Sequence, residues 1–291
     1  MAAIKRLHRR CVRYGRWSTR CPIYSRGSVT ENILHSPSID CRDDSIYAFQ
    51  GQLIFISGLT MIFHQLFDRV SSTYTYLLGD HESGQALVID SVFENNSLVL
   101  KLLQAQDLRL MLAIDTHTHA DHITGLGDLR EETGCITMMG TQSVANCLSE
   151  KFKDSDQLSI GSLEVEVIYS PGHTDDSYSF YMAEEGLLFS GDTLLIGGTG
   201  RTDFQNGDAG TQYDSLHDRI LKLPDSTILY PAHDYNGVQS STLANEKISN
   251  SRLNVIDKQA YIKLMEGLRL PSPAMMDVAV PANQACGNLS P

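Results

Sequence analysis

Hydrophobic and polar positions divide this chain into short runs of contrasting period. From Ser72 to Val92, STYTYLLGDHESGQALVIDSV sets two β-rich runs around a Gly/Asp/Ser turn, which predicts a hairpin. ENNSLVLKLLQAQDL then carries Leu and Val at helical spacing, and LRLMLAID is a short apolar run of the kind found in a buried strand. Strand, helix, strand is the rhythm of a layered α/β domain. ITGLGDLREETG predicts another helix, closed by Gly134 as C-terminal cap. Three later segments share one arrangement, an apolar or alternating run, a tight turn, then a potential ligand. LEVEVIYSPGHTDDS turns at Pro171-Gly172 into His173, GLLFSGDTLLIGG ends its run at Gly191 and Asp192, and STILYPAHDY ends at Pro231 and His233. STLANEKISN and KQAYIKLMEGL read as helices, followed by a Pro-rich tail.

Residues 27–60 show no clear period and read as linker, so a domain is expected to open near Met61 and run to residue 291 with its tail. The longest strongly apolar stretch, LIFISGLTMIF, is too short to span a bilayer. The 291 residues, 42% hydrophobic and 20% charged, suit an ordinary globular protein with one domain of about 230 residues.

Charge changes this picture. Residues 1–60 carry a net +5 and residues 61–291 a net −17. The acidic body argues against nucleic acid or an anionic membrane as partner. The leader MAAIKRLHRRCVRYGRWSTRCPIYSRGS holds eight Lys/Arg and no acid, a pattern matching an organelle transit peptide; the alternatives are a plain basic leader or an upstream start before Met61. Location in the mitochondrial matrix follows if it is a transit peptide, and in the cytoplasm if not. The cysteines, Cys11, Cys21, Cys41, Cys135, Cys147 and Cys286, form no CxxC pair, which favours a reduced compartment over a disulfide framework.

The chemistry concentrates in IDTHTHADH. In H-x-H-x-D-H, His117 and His119 leave the same face of an extended segment, so one metal could receive both. Asp121 and His122 follow at a turn and could serve a neighbouring metal or orient the first ligands. Imidazole with carboxylate and no sulfur suits zinc, iron or manganese. A single histidine is more often structural, and His8, His35, His64, His81 and His217 are read that way; four potential ligands within six residues, joined by ligands at other strand ends, reverse the odds. GGTGR lacks the strand-GxGxxG-helix context of a dinucleotide site, so no nucleotide is assigned.

THTHADH, PGHT, SGD and PAHDY occur in the order and spacing of the metallo-β-lactamase superfamily, which the chain resembles over about residues 61–285. The resemblance implies an αββα sandwich with two central mixed β-sheets, outer helices and a metal cleft at one sheet edge. HQLFD, THTHADHITG, SPGHT, GRTDFQ, YPAHDY and DVAVPAN are most similar to the persulfide dioxygenases. These oxidise glutathione persulfide with dioxygen to sulfite and glutathione at one non-haem iron(II) per chain. The resemblance implies His117, His173 and Asp192 as iron ligands, a two-histidine, one-carboxylate set with open positions for oxygen and sulfur. His119, Asp121, His122 and His233 would then orient the ligands or line a vacant second metal site. Arg201 becomes a candidate cation near the site, with a salt bridge to Asp203 or Asp234 as its other reading, and Asp234 and Tyr235 flank the metal. Thr199 stands where many members have Cys, and Gly197 where a basic residue is frequent. A homodimer is compatible with this reading.

Three further functions compete. A glyoxalase II-like thioester hydrolase would hold two metals, zinc among the candidates, and all seven ligands for it are present. Against it, 58 residues follow His233, whereas glyoxalase II carries a larger C-terminal helical domain. A β-lactamase would not require GRTDFQ. A non-enzymatic binding scaffold of the same fold would be expected to lose ligands, and this chain keeps them all.

Overall fold

The computed structural model describes residues 49–56, 59–273 and 275–287, with side chains from Met61 onward; the basic leader, with His8, His35 and three cysteines, lies outside the described residues. The first sheet contains β1 (Phe49–Ile56), β2 (Leu59–Asp68), β3 (Thr73–Asp80) and β4 (Gln85–Ile89). After α1 (Asn96–Ala105) it continues with β5 (Arg109–Ile114), and after α2 (Leu126–Thr133) with β6 (Ile136–Gly140) and β7 (Glu150–Phe152). Its strands lie in sequence order, antiparallel from β1 to β4 and parallel from β4 to β7. The stretch expected to be linker thus contains β1 and the start of β2: Phe49↔Leu66 through Ile56↔Leu59 form a continuous ladder. Its apolar run LIFISGLTMIF includes the end of β1 and the start of β2.

The second sheet contains β8 (Gln157–Ile160), β9 (Leu163–Tyr169), β10 (Tyr178–Met182) and β11 (Leu187–Gly191), then, after α3 (Ala209–Asp214), β12 (Ile228–Pro231) and β13 (Ser241–Thr242). The order is β13-β12-β11-β10-β9-β8, antiparallel except for the parallel pair β11/β12. The helices α4 (Leu243–Ser249), α5 (Lys258–Glu266) and α6 (Met276–Asn283) follow. The last replaces the expected Pro-rich tail. Pro281 sits inside α6, where it removes one helical N–H, and tertiary packing of Ala279 and Ala282 on Ile123 outweighs that local penalty.

Strand alternation builds the layers. On β2, Met61 and Phe63 face the second sheet, whereas Ile62 and Leu66 face α1 and α2. Between the sheets, Phe63, Tyr76, Phe189 and Tyr230 form an aromatic cluster with ring centroids 4.9 to 6.4 Å apart. Behind the second sheet, Leu188 and Leu229 pack with Leu216, Tyr261 and Met265. Each fully buried side chain of this size contributes roughly 1.5–3 kcal/mol, so the two sheets hold one edge rigid. The αββα sandwich expected from the resemblance is the fold observed.

One expectation about cysteine is corrected. Cys147, past β6, and Cys286, past α6, form a disulfide across 139 residues, while Cys135 is free and buried. No spacing rule could pair them; the docking of α6 does.

Candidate metal centre

Four strand ends open at one edge. The carboxyl end of β5 leads into Asp115–His122, that of β9 into Pro171-Gly172-His173, β11 ends at Gly191 before Asp192, and β12 ends at Pro231 before His233. Backbone bonds tie these turns together: Tyr178 N donates to Thr116 O at 2.8 Å, Gly200 N to Asp192 O at 2.7 Å, and Ala232 N to Gly191 O at 3.0 Å. Gly191 has φ +54°, and a Cβ there would meet Thr116 Oγ1 at 2.7 Å, so glycine is required twice over.

His117, His173 and Asp192 form one group whose ligand atoms all lie within 4.8 Å of one another. His173 donates from Nδ1 to the Arg201 carbonyl at 2.7 Å, leaving Nε2, 3.6 Å from Asp192 Oδ2, for a metal. His117 Nδ1 lies 3.0 Å from Thr116 Oγ1, which leaves its Nε2 free in the same way. Burial, then the neighbouring His119 and His173, holds the His117 pKa well below the usual imidazole value. Burial works against the Asp192 charge, but His233 outweighs it and keeps that carboxyl ionised far below its ordinary range. Neutral imidazole and ionised carboxylate are the states a metal needs.

His119, Asp121 and His122 form a second group. His119 Nε2 meets Asp90 Oδ1 at 3.1 Å; burial disfavours its charge, and the Asp90 carboxylate overcomes this, raising the pKa to about 9. His119 Nδ1 and His122 Nε2 are buried without a hydrogen-bond partner. His233 is held at both nitrogens, Nδ1 by Asp192 Oδ1 at 2.7 Å and Nε2 by Asp121 Oδ2 at 2.9 Å, with Thr73 Oγ1 at 3.0 Å. Asp90 and Asp115 form a third group with His119; Asp115 accepts from Thr124 Oγ1 at 2.6 Å, and burial raises its pKa to about 7.

The remaining candidates fall around the cleft. Arg201 forks onto Asp203, with Nε and Nη2 at 2.7 and 2.8 Å, rather than onto Asp234; it also donates to Pro271 O at 2.6 Å and covers the Phe204 ring. Asp234 accepts from Asn236 N and Val238 N at 2.8 and 2.7 Å, closing its own loop. Tyr235, 71% exposed, lies parallel to the His233 ring at 6.0 Å. Thr199 shares its hydroxyl with Tyr261 at 2.9 Å, and Gly197, at φ +69°, donates its N–H to Glu246. Of the histidines set aside, buried His64 meets Gln106, His217 stacks on Tyr213, and His81 is exposed.

A cleft of about 610 Å³ opens over His117, His173, Asp192 and His233. It also takes in Arg252, which the sequence reading did not single out. Its guanidinium donates to the Thr199 carbonyl, burial lowers its pKa, and no carboxylate pairs with it among the described residues. Asp90, Thr73 and Gln205, whose Nε2 donates to Thr118 O at 2.6 Å, were also missed. Asp90 left a trace at the end of the run ALVID, and Gln205 as the last residue of GRTDFQ.

A family model described as the metallo-beta-lactamase superfamily matches residues 68–146 and 148–233. The mouse protein named persulfide dioxygenase ETHE1, mitochondrial, is 43% identical over 240 residues, covering 81% of this chain and 92% of its own. A Schizosaccharomyces pombe protein named a probable hydroxyacylglutathione hydrolase is 34% identical over 184 residues, covering 62% and 68%. The crystal structure of ETHE1 from Myxococcus xanthus superposes with a TM-score of 0.76 at 45% identity, covering 78% of this chain and all of its own. With its two-sheet fold and its metal-binding strand ends, the chain belongs to the metallo-β-lactamase superfamily and, within it, to the persulfide dioxygenase family.

Proposed function

We propose that this protein oxidises glutathione persulfide with dioxygen, releasing sulfite and glutathione, at a single iron(II) held by His117, His173 and Asp192. The observation that carries the mononuclear reading is the grouping of His117, His173 and Asp192, whose ligand atoms lie within 4.8 Å of one another, while His233 spans Asp192 and Asp121 and joins no such group among the described residues. The three proposed ligands fit the ion: two imidazoles with Nδ1 engaged, one ionised carboxylate and no thiolate. The family relationship supports the chemistry.

Bound iron(II) supplies redox capacity and open positions through which dioxygen can react with a closed-shell sulfur. Persulfide, dioxygen and water give glutathione, bisulfite and a proton; the S–S bond breaks, S–O bonds form, and the electrons lost by sulfur reduce both atoms of O₂. The chain orients its ligands through Thr116, the Arg201 carbonyl and His233. Arg252, a half-buried cation with no carboxylate partner among the described residues, draws a carboxylate of the glutathione part into an otherwise acidic body, while Arg201 holds the GRTDFQ loop through Asp203 and Pro271. The cleft is of the size of small-molecule sites.

The dinuclear hydrolase reading draws on the two orphaned nitrogens of His119 and His122, which a second metal would satisfy. The deciding experiment supplies glutathione persulfide to the iron(II)-loaded protein in an oxygen electrode. Oxygen uptake matched by sulfite release is expected, with no turnover under argon. Rapid anaerobic hydrolysis of lactoylglutathione, with no oxygen uptake on persulfide, would overturn the proposal in favour of the hydrolase.

A further inference from the structure

The motif DVAVPAN, residues 277–283, has no part in the chemistry above, yet its last residue reaches the metal loop. Asn283 ends α6 and is 2% exposed. Its Nδ2 donates to His119 O and to His122 O, each at 2.9 Å, and its Oδ1 accepts from Thr124 N at 2.8 Å. Both amide hydrogens and the carbonyl are therefore used. Reversing the amide would set Oδ1 against two carbonyl oxygens, so only one orientation satisfies the loop.

Residues 117–124 form neither helix nor a regular strand, and the backbone groups of such a buried loop must find partners elsewhere. Gln205 holds Thr118 O; Asn283 holds the next carbonyls and the following N–H. The amide itself is anchored. Gly127 N donates to Cys286 O at 3.0 Å, Ala279 and Ala282 pack on Ile123, and the Cys147–Cys286 disulfide pins the chain just beyond the helix. We propose that Asn283 is a positioning residue for the metal centre: its side-chain amide fixes the path of the H-x-H-x-D-H loop and so presents His117, the proposed ligand of that loop, in ligand geometry. This rests on the metal site proposed above, though not on the reaction performed there.

The full chain is titrated with iron(II) in competition with a chromophoric chelator, and with zinc as a second probe, using Asn283→Asp, Asn283→Ser, Asn283→Gln and Cys286→Ser. Asn283→Asp keeps an acceptor for Thr124 and loses both donors. It and Asn283→Ser are expected to weaken metal binding about 10- to 100-fold, as loss of a group that orients ligands does. Asn283→Gln, which retains the amide, should recover part of the loss relative to Ser. The nitric oxide adduct of bound iron(II) should change its electron paramagnetic resonance signature in the Ser variant. Cys286→Ser, which removes one of the anchors of α6 but keeps the amide, should weaken metal binding less than Asn283→Ser does. If the Asp variant does not fold, the Ser and Gln pair carries the same test. Parental affinity and spectrum in Asn283→Ser, or affinity that follows the melting temperature across all four variants, would overturn the proposal. Because metal affinity is read without persulfide, failure of the dioxygenase reading would leave this result standing.

Discussion

At the residue scale, ligand identity and ligand grouping are different questions. His117, His119, Asp121, His122, His173, Asp192 and His233 were all legible as metal-binding types, because strand-end His and Asp are local patterns. Their partition came only from the family resemblance, because residue patterns do not show which nitrogen each ring spends on a neighbour. His117→Ala, His173→Ala and Asp192→Ala are each expected to abolish iron binding in elemental analysis, whereas His119→Ala and His233→Ala retain most of it. Two tightly held metals per chain in iron-replete protein would contradict this grouping. Gly200 extends the point to a residue without a side chain: a Cβ there would lie 2.2 Å from Asp192 O and 2.8 Å from His173 Nδ1. Gly200→Ala should therefore lower metal occupancy, measured by chelator competition, although the substitution bears no ligand. For the two arginines, Arg252→Ala is expected to raise KM for glutathione persulfide with kcat and iron content little changed. Arg201→Ala, which also frees Asp203 and Pro271, should lower both kcat and thermal stability.

At the scale of elements, the hairpin β3/β4, the helix before β5 and the Gly134 cap match the sequence expectation, since period and turn chemistry are local. Gly134 adopts φ +71° and donates its N–H to Arg130 O, as a C-terminal cap does. The helix α6 was missed because Pro281 argues locally against it and only Ile123, the disulfide and Asn283 argue for it. Reduction of Cys147–Cys286, or Cys147→Ser, should destabilise the fold by about 2–4 kcal/mol, read as a lower denaturant midpoint at unchanged slope. Between the sheets, Phe189 is 1% exposed and packs against Phe63, Tyr76 and Tyr230. Phe189→Ala should cost about 3–5 kcal/mol in the same assay.

At the scale of the molecule, the compact unit that holds the site runs from Ile46 to Pro291. β1 covers the outer edge of β2 through eight paired positions, so a chain begun at Met61 would expose an unpaired strand edge. Residues 46–291 are expected to elute as a single species, and residues 61–291 to aggregate or melt at a lower temperature; equal behaviour would return the boundary to Met61. The arginine-rich leader carries the expectation of a mitochondrial transit peptide, and the mouse relative is itself named mitochondrial. A fluorescent reporter fused to residues 1–40 should then colocalise with that organelle, and diffuse cytosolic signal would refute it.

What the sequence by itself determined was the set of chemical groups and the local elements that carry them: alternation and helical period, the glycine turns, the His and Asp at four strand ends, and the family those motifs resemble. Tertiary structure alone decided which of these side chains converge within ligand distance, that His233 spans Asp121 and Asp192, that Arg252 enters the cleft, that Cys147 meets Cys286, and that Asn283 holds the loop of His119 and His122. Asp121 and His233 are 112 residues apart, and His119 and Asn283 are 164 apart. Contacts at such separations are set by how sheets and helices bury their apolar faces, and local propensity carries no record of that packing.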